Sequence, residues 1–232
     1  QGNVLDTAYR SFVGILALPM RHGLTLGELA RLAAADLGIG VDLTVIPVRG
    51  WHRSEALDQT GLPFVPPSPN LKTLASLFDY PGLCLFEGTN LSVGRGTNAP
   101  FEQIGAPWLD TAAVLSRLRA AGIPGVRFSS VRFTPHAPGD AKFADTAVAG
   151  IRLDVIDRTA FDPTVTALYL LEAVIRLHPG EFAWRPAHFL RLAGQGDLMA
   201  RLDRGDPVAT IAADWTAGRE DWIRRTGWVR MY

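Results

Sequence analysis

The sequence predicts a mixed α/β fold, and three observations carry that prediction. Thr25 is followed three residues later by Glu28, the form of a helix-opening capping box, with Leu26, Leu29, Ala30 and Ala33 as the apolar stripe behind it. Residues 126–133 and 150–156 alternate apolar and polar side chains in the manner of strands. Residues 165–177 form a strongly apolar helical run through Leu168, Leu171 and Ile175, closed by Pro179-Gly180.

The remaining elements follow in order. Residues 1–24 read as a loop-rich entry, and Gly38 stops the first helix. Residues 41–48 alternate closely enough to predict a strand. Pro63, Pro66, Pro67 and Pro69 exclude helix from residues 61–70 and favour a stiff extended loop. Residues 71–78 suggest a short helix ended by Pro81-Gly82. Residues 83–86 suggest a buried strand, with Cys84 as core filler, leading into the polar turn Glu87-Gly88-Thr89-Asn90. Asp110 or Thr111 caps a further helix carrying Leu115, Leu118 and Ala121, which Gly122 and Pro124 end. A polar loop spans 134–146. The Trp-rich tail with Trp184, Trp215 and Trp222 reads as helical packing. A change from loop-dense to regular sequence sets an expected domain boundary near residue 110, giving units 1–110 and 111–232.

Composition narrows the function classes. Lys+Arg and Asp+Glu both number 23, so the chain lacks the basic excess through which a nucleic-acid binder releases counterions. The only lysines are Lys72 and Lys142, so an anion contact is expected to be an arginine fork. A single cysteine permits neither an intrachain disulfide nor a cysteine zinc site. His22, His52, His136, His178 and His188 have no ligand spacing, and no metal or cofactor is expected. No apolar stretch is long enough to span a bilayer. Residues 94–99, Gly-Arg-Gly-Thr-Asn-Ala, match a dinucleotide-binding pattern by letter. Pro100 then stands where the phosphate-facing helix should run, which argues against that reading.

Three loops gather polar residues among glycine and proline: Arg21-His22-Gly23, the Pro66 to Asn70 segment, and the stretch from Glu87 to Thr97. Glu87, at the expected end of a buried strand, reads as an acid or base, as a sugar-hydroxyl ligand, or as a carboxylate paired with Arg95. Arg21 and Arg95 are candidate carboxylate clamps or loop braces, and His22 a substrate donor or loop anchor. Trp51 and Trp108 offer stacking faces or partly buried core.

These loops also carry a resemblance. Arg21-His22-Gly23-Leu24-Thr25-Leu26-Gly27-Glu28-Leu29-Ala30 is similar to a segment of the NamZ-type exo-β-N-acetylmuramidases. Gly50-Trp51-His52-Arg53, the stretch Thr60 to Asn70, Tyr80-Pro81-Gly82, Phe86 to Thr97, Pro100-Phe101-Glu102 and Gly105-Ala106-Pro107-Trp108 follow in family order. Arg132-Phe133-Thr134-Pro135, Asp157-Arg158 and Tyr232 agree more loosely.

The resemblance implies the C-terminal part of a Rossmann-like domain in residues 1–110 and a smaller mixed α+β auxiliary domain in 111–232. It implies release of N-acetylmuramic acid from the non-reducing end of peptidoglycan fragments, in an extracytoplasmic setting, periplasmic or secreted. On this reading Glu87 is a catalytic carboxylate or sugar-hydroxyl ligand, and Arg21, His22, Ser68, Asn70, Thr89, Asn90, Arg95 and Thr97 bind the muramyl saccharide. The family's P-E-H-G segment, with its proposed catalytic glutamate, does not occur in these residues. The expectation is therefore a C-terminal part only, inactive without the missing N-terminal half of the protein. Two alternatives stand beside it: a non-catalytic carbohydrate-binding or scaffold protein of the same fold, and a nucleotide-binding α/β protein using the glycine loop.

Overall fold

A computed structural model describes residues 1–232, and its elements follow largely from local chemistry. Helix α1, Leu26–Asp36, opens with the full capping box: Thr25 accepts from the Glu28 N–H while Glu28 accepts from the Thr25 N–H. Helix α2 is Leu74–Leu83, capped by Thr73. Helix α3, Thr111–Ala121, starts where the Asp110 carboxylate takes the N–H groups of Ala112 and Ala113, and ends at Gly122 in the left-handed region. Helix α4, Pro163–Leu177, has proline at its first turn and an Asp162 cap onto Thr164 and Val165. Four short helices follow: α5 Pro186–Ala193, α6 Leu198–Arg204, α7 Val208–Asp214 and α8 Thr216–Thr226.

Strands β1 (Gln103–Ala106), β2 (Val126–Phe133) and β3 (Val148–Val155) form one antiparallel sheet in the order β1-β3-β2. Gly105 faces Gly150 across the β1–β3 pair, and Val131 faces Gly150 from β2. Helix α4 is the centre of the core: Ala167, Leu168, Leu170, Leu171 and Val174 are all sealed from solvent. It packs against α2, α3, α6 and α7. The main cluster includes Phe86, Phe101, Phe161 and Phe189 and runs without a break past residue 110, from Leu109 to Val114. The protein is thus mixed α and β, with a small sheet under a helical layer.

Residues 1–65 are built differently. They hold one α-helix, and they attach to the tail through a small cluster of Leu32, Trp222 and Val229. Many of their large apolar side chains face solvent, Phe12 being 85%, Leu26 83% and Ile46 87% exposed. The buried Glu28 carboxylate ties this region together, accepting from Thr25 N, Met231 N and the Arg53 guanidinium. Burial alone would raise its pKa, but these donors outweigh it and hold the group below the usual carboxylate range.

Three sequence expectations are corrected. Residues 41–48 form no strand and carry no regular secondary structure, because alternation alone does not supply a pairing partner. Residues 83–86 are not a strand: they close α2 and enter a 3-10 helix, Cys84–Gly88. All four are buried, and an apolar run buried on every side has no period to separate helix from strand. Helix α2 also runs through Pro81 instead of ending there. Gly82 sits so close to the start of α4 that a Cβ would lie 2.0 Å from the Pro163 carbonyl oxygen, and this tertiary contact overrides the local helix breakers. No helix is long and apolar enough to cross a membrane.

Candidate functional site

The Glu87-Gly88-Thr89-Asn90 turn is held from three sides. On one side it pairs with residues 181–185. Asn90 N donates to Ala183 O at 2.9 Å, and Arg185 N donates to Gly88 O at 2.8 Å. The Asn90 side chain clamps the same strip, donating to Glu181 O at 2.7 Å and accepting from Ala183 N at 3.0 Å. Gly88 is required by contact: a Cβ there would lie 2.5 Å from Phe189 Cα in α5. On the second side, buried Lys142 donates to the carbonyl oxygens of Phe86, Glu87 and Leu91. Burial, partly offset by Asp140, brings its ammonium down to about 8. On the third side, the Arg95 Nε donates to Glu87 Oε1 at 2.7 Å, while the guanidinium lies 5.1 Å over the Phe101 ring.

The result is a charged hollow of about 420 Å³, lined by Glu87, Arg95, Gly139, Asp140, Arg185 and His188 and by no apolar side chain. Glu87 directs both Arg95 contacts to Oε1. Its Oε2 takes no protein donor and is not sealed from solvent. Asp140 contributes a carboxylate whose buried Oδ2 lies 3.9 Å from Lys142 Nζ, beyond hydrogen-bond reach. The His188 pKa is lowered, chiefly by burial. Arg191 Nη2 lies 3.2 Å from His188 Nδ1. A guanidinium can only donate, so Nδ1 accepts and the neutral ring carries its proton on Nε2. Two guanidinium groups, two carboxylates and an imidazole suit a polar, partly anionic ligand that offers hydroxyls.

A larger hollow of about 790 Å³ lies elsewhere, bounded by Leu26, Val45, Ile46, Val48, Trp51 and Tyr232 among others. Its lining is about half apolar, and its Arg49 and Glu55 form no ion pair with each other. The smaller charged hollow is therefore the candidate site. No three His, Cys, Asp or Glu side chains converge to hold a metal ion.

Of the residues singled out from sequence, the fold brings Glu87 and Arg95 together in this hollow. The others lie outside its lining. Arg21 Nη1 donates to Gln1 Oε1 at 2.9 Å and braces the first residues. His22 lines a separate hollow with Leu5, Leu18 and Met20, its Nδ1 accepting from Leu24 N and its pKa lowered by burial. Ser68 accepts from Asn70 N at 3.5 Å in a tight turn. Buried Thr89 spends its hydroxyl on Phe86 O and Leu91 N, and Asn90 is spent on the clamp above. Thr97 donates to Gly94 O and accepts from Ala99 N, while Lys72 ties the end of the proline-rich loop to Thr97 O. Trp51 packs edge-on against Tyr232, and Trp108 leans on His178. The glycine loop is closed against another backbone, since a Cβ on Gly96 would lie 2.5 Å from His136 O.

Sequence reasoning missed Asp140, Lys142, Arg185 and His188. Asp140 and Lys142 sit in a loop with no motif, and Arg185 and His188 border an aromatic run that reads as core. The usable signal was Lys142 itself, one of two lysines in an arginine-rich chain.

Comparison with known proteins gives a consistent picture. Residues 78–232 match the C-terminal family model of the exo-β-N-acetylmuramidase NamZ, and residues 1–75 match its N-terminal family model. The N-terminal match corrects the expectation of a C-terminal part only. The chain is 40% identical over 212 residues to the peptidoglycan β-N-acetylmuramidase NamZ of Bacillus subtilis strain 168, covering 91% of this chain and 50% of that protein. It thus spans about half the length of that curated relative. Two crystal structures of DUF1343 family proteins from Bacteroides fragilis NCTC 9343 match all of the chain and 62% of theirs. One has a TM-score of 0.90 at 24% identity and the other 0.78 at 30%.

Proposed function

The chain belongs to the NamZ exo-β-N-acetylmuramidase family, and from that premise we propose that it serves a cell-wall glycosidase releasing N-acetylmuramic acid from the non-reducing end of peptidoglycan fragments. The observation that carries this reading is the charged hollow in which Glu87 keeps one oxygen open beside its Arg95 pair. The open Oε2 of Glu87 is suited to hold a sugar hydroxyl or to take a proton. Glycoside hydrolysis needs a proton donor for the leaving oxygen as well.

The same reading gives residues 1–75 to a Rossmann-like domain. Support for this comes from the exposed Phe12, Leu26 and Ile46, apolar side chains of the kind a layered domain covers. An extracytoplasmic setting follows from the proposed substrate, which lies outside the cytoplasmic membrane.

Turnover of a chromogenic β-N-acetylmuramide by the protein, before and after Glu87→Gln, tests the reading. The substitution is expected to lower kcat by at least about 100-fold, the scale of a general acid–base contribution. Near-normal turnover in the variant rejects the role. The second reading, a non-catalytic saccharide binder, is favoured by the Glu87–Arg95 pair itself, because structural ion pairs also occupy clefts. Saccharide binding without turnover in the unsubstituted protein selects it.

A further inference from the structure

The cations around the hollow differ in what their donors already do. Arg95 directs Nε and Nη2 to Glu87 and stacks over Phe101, so its fork is committed. Buried Lys142 has three N–H donors and gives them to three carbonyl oxygens. Arg185 alone among the lining cations has a guanidinium with no hydrogen bond and no ion pair to the protein, while its backbone is fixed. Its N–H is bound to Gly88 O, and its carbonyl accepts from His188 N and Phe189 N at the start of α5. A rooted side chain with five unspent donors faces the same space as the open Oε2 of Glu87.

Two neighbours bias that space toward an anion. Helix α5 begins between the lining residues Arg185 and His188, and its N-terminal end adds a positive dipole there. His188 presents an Nε2–H, because Arg191 occupies its Nδ1.

We propose that Arg185, assisted by His188, is the carboxylate-reading wall of the hollow and sets its preference for a muramyl sugar over an N-acetylglucosaminyl one. The two sugars differ by the lactyl ether, whose carboxylate is the only full charge on the ring. Glu87 and Asp140 repel that carboxylate, so the fork opposite them must fix which way the sugar enters. Arg185 does this by two parallel N–H contacts, with the ring hydroxyls left to Glu87 Oε2. The assignment rests on the muramidase reading above and deepens it.

Binding of N-acetylmuramic acid, its methyl ester and N-acetylglucosamine to the protein, measured by calorimetry or NMR titration, tests both together. The unsubstituted protein is expected to bind the free acid most tightly. Arg185→Gln is expected to weaken the free acid by about 10- to 100-fold, the scale of a lost charged hydrogen bond, and to leave the ester and N-acetylglucosamine unchanged. Arg185→Lys should recover part of the loss. The Arg185 head makes no hydrogen bond or ion pair to the protein, so Arg185→Gln should keep the melting temperature, and a circular dichroism melt checks this.

If the acid binds and Arg185→Gln binds it equally well, the assignment falls and the muramidase reading stands. Equal loss for all three ligands also overturns it, since that is a structural effect. If the unsubstituted protein binds none of them, the muramidase reading fails and the assignment with it.

Discussion

Lys142 Nζ lies 2.8 Å from the carbonyl oxygen of Leu91, and this contact closes a cage that the Phe86 and Glu87 carbonyls complete. The lysine comes from the 134–146 loop, where Ala137, Ala141, Phe143 and Asp145 all have positive φ. Left-handed backbone at a non-glycine residue costs about 1 kcal/mol or more each, so the loop needs an anchor that repays its strain. Lys142 is that anchor, and it fixes the backbone of Glu87 at the same time. Lys142→Met should therefore destabilise the protein by about 3 kcal/mol, by leaving buried carbonyls without donors. It should also weaken saccharide binding. Chemical denaturation and a binding titration on the same variant check the two effects, and an unchanged denaturation midpoint would contradict the anchor.

Glu28 predicts a different response. Its carboxylate joins the capping box of α1 to Arg53 and to the N–H of Met231, the residue before Tyr232. Glu28→Ala should cost about 3–5 kcal/mol, the scale for removing one partner of a buried pair. The folded group titrates below its unfolded value. Its contribution is thus fully present above the unfolded pKa of about 4.3 and is lost as pH falls through the lower folded value. Thermal melts from pH 7 to pH 3 should show the unsubstituted protein losing stability at the acid end. Glu28→Gln should lose less over that window.

The sequence made some of this legible and hid the rest for physical reasons. Caps are local chemistry, so Thr25 with Glu28 and Asp110 announced their helices correctly. Strands β2 and β3 were legible because exposed residues such as Arg127, Arg132, Arg152 and Asp154 sit between more buried apolar neighbours. The 83–86 run was not, since burial on all sides erases the period. The pairing of Glu87 with Arg95 was legible because they lie eight residues apart in one loop. Asp140 and Arg185 were invisible because their approach to Glu87 depends on pairing over roughly 50 and 100 residues, which no spacing encodes. Thr89 and Asn90 looked like ligands because polar turn residues and binding residues share one composition; here their polar atoms serve the turn.

Asp79 is a buried acid with Oδ1 lacking any partner, on α2 near Glu102, Arg152 and Asp154. Burial raises its pKa to about 8, Glu102 and Asp154 add to the rise, and Arg152 opposes it. The folded state holds a proton that the unfolded chain releases above about pH 3.9. The group's contribution is therefore fully present below that value and is lost as pH rises toward 8. Asp79→Asn keeps the shape without the titration, so at pH 7 it should stabilise the protein by roughly 2 kcal/mol. Its advantage should shrink toward pH 4. Paired melts of the two proteins at pH 4, 6 and 8 measure this, and a constant difference across that range contradicts the assignment.

Gly88 tests whether the hollow depends on how α5 is seated. A Cβ at this position would stand 2.5 Å from Phe189 Cα and 2.8 Å from Phe189 N, both backbone atoms that cannot rotate away. Gly88→Ala must push α5 outward, and overpacking of this kind costs about 1–3 kcal/mol. The move carries Arg185 and His188 with it, because Arg185 N is tied to Gly88 O and both residues open the displaced helix. Muramic acid binding should then weaken more than the stability loss alone would explain. Gly122→Ala is the control: its Cβ meets nothing within 4 Å, so it costs only the left-handed backbone strain and should leave binding intact. Comparing the two variants at a temperature where both are folded separates displacement of the wall from general loosening. Equal binding by both shows that α5 can shift without disturbing the hollow.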